Sequence, residues 1–273
     1  MNREADILEL CDLVQTLCGI SLNLDKKYLL DSRLQEILEA FPGKSYGELV
    51  QSARQPNQGH LRTQLIDALT TNETLFFRDM APFEAIKHKL LPELLDAQEE
   101  GVFSGPIRIW SAACSTGQEA YSLAMIVRDL LSESEFGRVT ILGTDVSDAA
   151  IQAASRGCYS DHVVGRGLDN RLLDRHFTRT TGGWQVRDEL RGLVAFKRAN
   201  LLESFEHLGV FDIIMCRNVA IYFTPEARRD LFLRLRQRMR NQSAAIFVGS
   251  AESLLDCDGA FTPEEHCRAT LYR

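Results

Sequence analysis

The sequence contains no apolar run that approaches the roughly 18 residues needed to cross a bilayer. Its start, MNREADILEL, is acidic and interrupted, unlike a secretion signal. There is no CxxC pair among the seven cysteines, and an odd number without ligand-like spacing is typical of free thiols in a reducing compartment. These absences predict a cytoplasmic protein without direct membrane insertion, a disulfide framework or a metal site.

The 31 lysines and arginines are outnumbered by 38 aspartates and glutamates. The formal net charge is −7 at pH 7, which disfavours wholesale nucleic-acid binding, so we expect no nucleic-acid partner. The composition, 45% hydrophobic and 25% charged, is that of an ordinary globular protein. A length of 273 residues suffices for one large domain, or for a large and a small one.

The first 70 residues carry helical periodicity alone. Apolar residues at helical spacing predict a first helix that stops at Gly19, and similar stripes mark residues 30–41 and 60–69. Ser45 with Glu48 three residues later is the signature of a capping box. We expect a small all-α domain over residues 1–70.

From Pro106 onwards, short β-rich runs alternate with amphipathic helices. The candidate strands are Ile107–Ala112, Val139–Gly143, Val194–Lys197, Phe211–Cys216 and Ala245–Val248. This alternation predicts an α/β domain with a mostly parallel sheet, over residues 71–273. Ligands bind such sheets at the carboxyl ends of the strands, so we searched those ends for polar residues.

The turn after the first strand has too few glycines for a nucleotide-phosphate loop. Residues 108–125 read RIWSAACSTGQEAYSLAM, without the G-x-G-x-x-G of dinucleotide sites or the GxxxxGK[ST] of phosphate loops. Glu119 would repel a phosphate and suit a cationic group. It could equally do no more than complement the dipole of the following helix.

Polar residues also follow the other strands. An acid such as Asp145, which closes the second strand, commonly accepts hydrogen bonds from ribose hydroxyls, and Asn200 could read an adenine edge. The fourth strand runs directly into Arg217-Asn218 and then Tyr222. Together these residues describe a nucleoside pocket with a carboxylate but no phosphate apparatus, which favours S-adenosylmethionine.

Four ordered motifs give the chain a specific resemblance. TNETLFFRD (71–79), SAACSTGQEAYSLAM (111–125), GTDVSDAAIQAA (143–154) and FDIIMCRNVAIYF (211–223) resemble the chemotaxis receptor glutamate methyltransferases, the CheR family. The resemblance extends over essentially the whole chain. It implies a Rossmann-type S-adenosylmethionine-dependent methyltransferase domain with a small antiparallel β-subdomain at about 178–196, preceded by the helical domain. The implied cofactor is S-adenosyl-L-methionine and its product S-adenosyl-L-homocysteine.

The resemblance also implies roles for ten residues. The cofactor-binding set is Asn72, Thr74, Arg78, Glu119, Asp145, Asn200, Leu201, Asn218 and Val219. Arg78 and Tyr222 correspond to catalytic residues beside the transferring methyl group and the acceptor carboxylate. A glutamate acceptor, with a reference pKa of about 4.3, is already ionised at neutral pH, so no general base is needed. We expect Arg78 to orient that carboxylate through charge-assisted hydrogen bonds, with Tyr222 as its partner.

The implied partners are the cytoplasmic methylation helices of chemoreceptors. A helix expected from Asp25 to Phe41 carries Lys26, Lys27 and Arg33, which suit acidic receptor helices, although a solvated helix face is the simpler interpretation. The turn around Gly182-Gly183 is short for the family, so we expect binding without a C-terminal pentapeptide tether. Ala220 stands where family members usually carry a larger apolar residue.

Two alternatives remain open. The stretch from Arg217 to Tyr222 faintly resembles amide or amine methyltransferases, which end this strand in Asn-Pro-Pro-Tyr. A non-catalytic module that binds receptors and senses the cofactor is the second, and the intact polar residues of the motifs argue against it.

Overall fold

The computed structural model describes residues 3–22, 27–43 and 45–273. Lys26, expected on the receptor-facing helix, lies outside this part of the chain. The α-helices are α1 (Arg3–Cys18), α2 (Lys27–Ala40), α3 (Tyr46–Ala53), α4 (Gly59–Leu69), α5 (Met80–Ala85), α6 (Leu91–Glu99), α7 (Gln118–Leu130), α8 (Asp148–Arg156), α9 (Asp161–Val164), α10 (Asn170–His176), α11 (Asp188–Arg191) and α12 (Pro225–Arg236). The strands are β1 (Ile107–Ala112), β2 (Val139–Asp145), β3 (Cys158–Tyr159), β4 (Phe177–Thr180), β5 (Gly183–Val186), β6 (Val194–Arg198), β7 (Ile213–Cys216), β8 (Ala245–Phe247), β9 (Pro263–His266) and β10 (Ala269–Tyr272).

Helices α1 to α4 pack around an apolar core of their own, as the periodicity predicts. Ile7, Leu10, Leu34 and Leu49 are fully buried in it. The first helix ends before Gly19, whose φ of +82° lies in the left-handed region. At the start of α3 the Ser45 hydroxyl accepts the Glu48 N–H, which is half of the expected capping box. The all-α interpretation of this part of the chain is confirmed.

A seven-stranded sheet forms the centre of the remaining chain, in the order β6-β2-β1-β7-β8-β10-β9. Neighbours from β6 to β8 pair in parallel, and β10 pairs antiparallel with both β8 and β9. The expected α/β class with a mostly parallel sheet is therefore confirmed. The sequence did not predict the β9–β10 hairpin, because the residues of β9, PEEH, lack the apolar run used to find strands.

Helices cover both faces of the large sheet. α7 buries nine of its ten residues from Gln118 to Val127, and the tenth, Glu119, is partly exposed. α12 buries Leu231, Phe232 and Leu235 on the opposite face, in a second apolar cluster. The carboxyl ends of β1, β2, β6 and β7 remain accessible between these layers and the N-terminal helices. This is the edge at which ligands bind in such folds.

A small antiparallel sheet, in the order β3-β5-β4, stands apart from the large one. It differs in extent from the expected 178–196, because it recruits Cys158-Tyr159 and ends at Val186, while β6 belongs to the large sheet. Gly183 allows β5 to approach β3 closely, since a Cβ there would lie 2.3 Å from the Tyr159 carbonyl oxygen. Among the described residues, no helix combines the length and the apolar character that a membrane span requires.

Candidate active site

One cleft of about 890 Å³ lies at the carboxyl ends of the parallel strands. All ten residues singled out in the sequence line it, although they come from five separate segments of the chain. Cys18 and Ile20, at the end of α1, also line the cleft, so the N-terminal helices form part of its wall. The fold therefore brings the predicted set together in one cleft.

The opening turn after β1 uses its single glycine for packing. Gly117 has a φ of +95°, and a Cβ there would lie 2.8 Å from the Cβ of Ala154 in α8. Ala113 and Ser115 also adopt positive φ values, 62° and 51°, which bends the turn sharply towards β2. The glycine is therefore required where two helices approach each other, rather than where a phosphate would approach the backbone.

Asp145, at the end of β2, is a buried carboxylate fixed by backbone groups. One oxygen accepts the Ser115 N–H at 2.9 Å and the other accepts the Ser147 N–H at 3.0 Å. Burial raises its pKa, and these hydrogen bonds oppose the rise. Because each carboxylate oxygen can accept more than one hydrogen bond, Asp145 retains acceptor capacity for the hydroxyls of a ribose.

Glu119, in the first turn of α7, has an internal cationic partner. Its carboxylate accepts the Ser111 hydroxyl at 2.7 Å and pairs with the Arg217 guanidinium at 3.1 Å. Burial is the largest influence on Glu119 and raises its pKa, while Arg217 acts in the opposite direction. The simpler interpretation, a complement to the helix dipole, does not account for these contacts.

Arg217 is the main functional candidate that the sequence interpretation left without a role. Its side chain is 2% exposed and pairs with both Glu119 and Asp79, and it also donates to the Arg78 carbonyl at 2.8 Å. Two carboxylates therefore share one guanidinium, which leaves a net negative charge beside the cleft. A cationic ligand fits this charge balance. The position of an arginine directly after an apolar strand was the signal that could have assigned it.

The interdomain motif lies across the mouth of the cleft. The Asn72 carbonyl accepts the Ser115 hydroxyl at 3.1 Å, and Thr74 is half-buried in the lining. Arg78 is half-buried and donates to the Glu73 carbonyl at 3.2 Å. Its charge also lowers the pKa of Glu119 slightly, as expected for a guanidinium facing the same space.

Asn200 already uses its side-chain amide within the protein. Its NH₂ group donates to the Leu17 carbonyl at 2.8 Å, and its oxygen accepts the Leu202 N–H at 3.1 Å. The NH₂ group is thus directed to the end of α1, and the oxygen to the loop that follows β6. The prediction that this amide reads adenine stays a prediction. Leu201 beside it is buried in the cleft wall.

The loop after β7 presents the last three candidates. Asn218 has a φ of +57°, Val219 is partly buried against the apolar cluster, and Tyr222 is half-buried in the lining. The Tyr222 carbonyl accepts the Ser21 N–H at 2.8 Å, which ties this loop to the N-terminal helices. Ala220 is fully buried among apolar side chains, so it forms part of the core rather than a gap in the cleft wall.

Arg33 in α2 makes contacts within the chain that the sequence did not predict. Its guanidinium donates to the carbonyls of Leu69 and Thr70 and to the Thr71 hydroxyl, at 2.9, 3.4 and 3.2 Å. These donors hold the segment that leads into the cleft, and the expectation that Arg33 faces an acidic receptor helix stays a prediction. Lys27 remains partly exposed on α2.

A second contact joins the N-terminal helices to the carboxyl edge of the large sheet. Asp67 of α4 accepts the Ser147 hydroxyl at 2.7 Å, while the Ser147 N–H is held by Asp145. Because Asp67 is itself an acid, its charge adds to the rise in the Asp145 pKa. The helical bundle thus contributes both lining and supporting residues to the cleft.

Comparisons with known proteins identify the family. Residues 72–269 match the family described as CheR methyltransferase, SAM binding domain, and residues 5–70 match the CheR methyltransferase all-alpha domain. The chain is 43% identical to Chemotaxis protein methyltransferase 1 of Pseudomonas aeruginosa, over 94% of this chain and 93% of that one. It is 40% identical to Chemotaxis protein methyltransferase Cher2 of Pseudomonas putida, over 87% and 86% of the two chains, and 36% identical to Chemotaxis protein methyltransferase 1 of Vibrio cholerae, over 90% and 88%. The chain therefore belongs to the CheR methyltransferases, enzymes whose cofactor is S-adenosylmethionine.

Proposed function

We propose that this enzyme transfers a methyl group from S-adenosylmethionine to glutamate side chains of chemoreceptors. The observation that carries the proposal is Arg78, a half-buried cation at the mouth of the cleft, whereas the other lining arginine, Arg217, is buried and paired with Glu119 and Asp79. Among the described residues it donates one hydrogen bond, to the Glu73 carbonyl, so most of its guanidinium is available to an incoming carboxylate. The relatives' names, chemotaxis protein methyltransferases, support the choice of receptors as the acceptor proteins.

The residues of the cleft fit the cofactor. In the proposal Asp145 accepts the ribose hydroxyls, and the Glu119–Arg217–Asp79 group, with its net negative charge, favours the cationic end of the molecule. Asn218 and Val219 line the same wall, with Asn72, Thr74, Asn200 and Leu201 completing the set. The bound cofactor supplies an electrophilic methyl group.

The acceptor needs positioning rather than deprotonation. A glutamate carboxylate is ionised at neutral pH and is already a nucleophile. Arg78 is proposed to hold one of its oxygens and leave the other free to attack, while Tyr222 closes the opposite side of the site. Holding the two reacting groups in register and excluding water is then the main source of rate enhancement.

The first experiment is methylation of purified receptor cytoplasmic fragments with methyl-labelled S-adenosylmethionine. Label that is released by mild alkali identifies a carboxyl methyl ester, whereas alkali-stable label would indicate N-methylation and overturn the proposal. Receptors with and without their C-terminal tails, compared side by side, test the proposed independence from a pentapeptide tether.

The second experiment separates acceptor binding from cofactor binding. Arg78→Ala should reduce methylation about 100-fold or more, because the acceptor loses its orienting charge. S-adenosylhomocysteine affinity, measured by calorimetry, should change little. Arg78→Lys, which retains the charge but not the planar fork, should recover only part of the loss. Loss of cofactor affinity with normal turnover at saturation would contradict the assigned role.

The proposal gives residues 1–70 and 71–273 separate tasks. The helical part would meet the receptor and the larger part would carry out the transfer. Because Arg33 is engaged with residues 69–71, the receptor-facing charge on α2 would come from other residues, among them Lys27. We place the enzyme in the cytoplasm, where the methylation helices of receptors lie and where its seven free cysteines would stay reduced.

A further inference from the structure

Glu252 is a buried carboxylate at the edge of the cleft loop. It is 8% exposed and lies three residues after Gly249, beyond the end of β8. One of its oxygens accepts the backbone N–H groups of Asn218 at 2.7 Å and Gly249 at 2.6 Å. The other accepts the N–H of Ile221 at 3.2 Å. A carboxylate in this setting is costly unless its hydrogen bonds are made, and here backbone groups make them.

These bonds enclose the carboxylate between two loops. Asn218 holds a φ of +57°, a conformation that is unfavourable for a residue with a side chain. Gly249 leaves space for the contact, because a Cβ there would lie 2.7 Å from the carboxylate and 2.5 Å from the Asn218 side-chain nitrogen. The loop from 217 to 222 is therefore shaped around Glu252.

The same loop carries three of the candidate cleft residues: Asn218, Val219 and Tyr222. On its other side the Tyr222 carbonyl accepts the Ser21 N–H. Glu252 holds the loop at Asn218 and Ile221, and Ser21 holds it at Tyr222. Neither the Glu252 side chain nor Ser21 lines the cleft.

We propose that Glu252 is a positioning residue of the methyl-transfer reaction. Its carboxylate holds Asn218 and Ile221 so that the loop presents Asn218 and Val219 to the cofactor and Tyr222 to the acceptor. The part of this inference that concerns Tyr222 and the acceptor rests on the proposed function. The part that concerns the cofactor rests only on membership of the family.

A carboxylate is required here because three donors converge on it. In Glu252→Gln one oxygen becomes an NH₂ group, which must face at least one of the backbone N–H groups of Asn218, Gly249 or Ile221. The donor so opposed loses its partner, and the loop must shift to relieve the contact. A small shift of positioning groups can cost as much as about 100-fold in rate.

Calorimetric titration with S-adenosylhomocysteine gives the test. Glu252→Gln should weaken its binding about tenfold, and kcat on a receptor fragment should fall further than the weaker cofactor binding accounts for, even at saturating cofactor. Amide hydrogen exchange should become faster in residues 217–222. Unchanged binding and unchanged exchange in this loop would overturn the proposal.

Asp212→Asn is the matched control. Asp212 is also a buried carboxylate, 2% exposed, which accepts the Arg108 N–H and pairs with Arg240. It precedes β7, at the end of the sheet opposite the cleft. Its replacement should lower the urea midpoint without changing cofactor affinity in the folded protein. Equal loss of affinity in both variants would reduce Glu252 to a structural residue and overturn the proposal.

A second variant covers the case in which Glu252→Gln does not fold. Glu252→Asp keeps the charge but is one methylene shorter, so it cannot reach all three N–H groups, and the same tenfold weakening is expected. Unaltered affinity in that variant would contradict the proposal. Calorimetry needs no acceptor, so absence of receptor methylation by the wild-type enzyme would reject the proposed function and leave this comparison valid.

Discussion

Arg217→Met removes the cation that two acids share beneath the cleft. The side chain of Arg217 is 2% exposed and that of Glu119 is 13% exposed, so their pair is buried. Removing one partner of a buried pair costs about 3–5 kcal/mol, because it leaves an uncompensated charge. The pair with Asp79, whose side chain is 47% exposed, adds at most about 1 kcal/mol. We expect the free energy of unfolding to fall by about 3–5 kcal/mol, most of it through Glu119.

The loss should depend on pH. Burial already raises the pKa of Glu119 and Arg217 opposes that rise, so the pKa climbs further in the variant. A carboxyl group whose pKa is higher in the folded protein binds more protons when folded. The stability that it costs at neutral pH is therefore recovered as the pH falls through the raised pKa. The difference in stability between wild type and Arg217→Met should shrink as the pH falls from neutral through the raised pKa of Glu119.

Urea unfolding followed by circular dichroism measures the effect at each pH. Adding Glu119→Gln to Arg217→Met should restore part of the stability, because a neutral amide replaces the stranded carboxylate. Arg179→Met is the matched control, since its pair with Asp161 is exposed and its loss should leave the midpoint nearly unchanged. A loss no larger than in this control, or additive effects of the two cleft substitutions, would refute the reasoning.

Two further predictions concern the turn after β1 and a buried histidine. Gly117→Ala should destabilise the protein by more than about 1 kcal/mol, because φ is +95° and the new Cβ meets Ala154. Gly105 has a φ of +85° and open space around it, so Gly105→Ala introduces the backbone strain without the contact. Urea titration of both variants separates the two effects. Burial lowers the pKa of His176 from 6.5 to about 4. Between these values the unfolded chain binds a proton that the folded protein does not bind. The free energy of unfolding should therefore fall as the pH falls from 6.5 to about 4. His176→Phe should remove this part of the pH dependence, and an identical slope in both proteins would contradict the assignment.

Most of the architecture follows from patterns that are local in the sequence. Helical periodicity and Gly19 predict α1, and the run Ile107–Ala112 is β1 with the bounds expected for it. Five apolar runs separated by amphipathic helices suffice for a parallel sheet, because crossover helices leave few other arrangements. The antiparallel β9–β10 hairpin was missed, since its polar residues are stabilised by pairing at the sheet edge rather than by a pattern of their own.

The residues around the cofactor edge were also accessible from the sequence. Asp145 and Asn218 lie two residues beyond the ends of predicted strands, and Glu119 lies in the first turn of the helix that follows the first strand. The topology of such sheets brings the carboxyl ends of the strands together. What the sequence could not supply is the partner of each polar group. Asn200 was expected to read adenine, yet its amide bonds to Leu17, 183 residues away.

Tertiary structure decided which charges compensate each other. Arg217 meets Glu119 across 98 residues of chain, and the Glu252 carboxylate reaches Asn218 across 34. Arg33 of α2 donates to the Leu69 carbonyl at the end of α4, a contact that its position in the helix did not predict. The periodicity of a segment specifies which face is apolar, because burial of that face dominates the local free energy. A polar side chain is satisfied by whichever donor or acceptor the finished fold places within about 3 Å, and that choice exists only once the segments have packed.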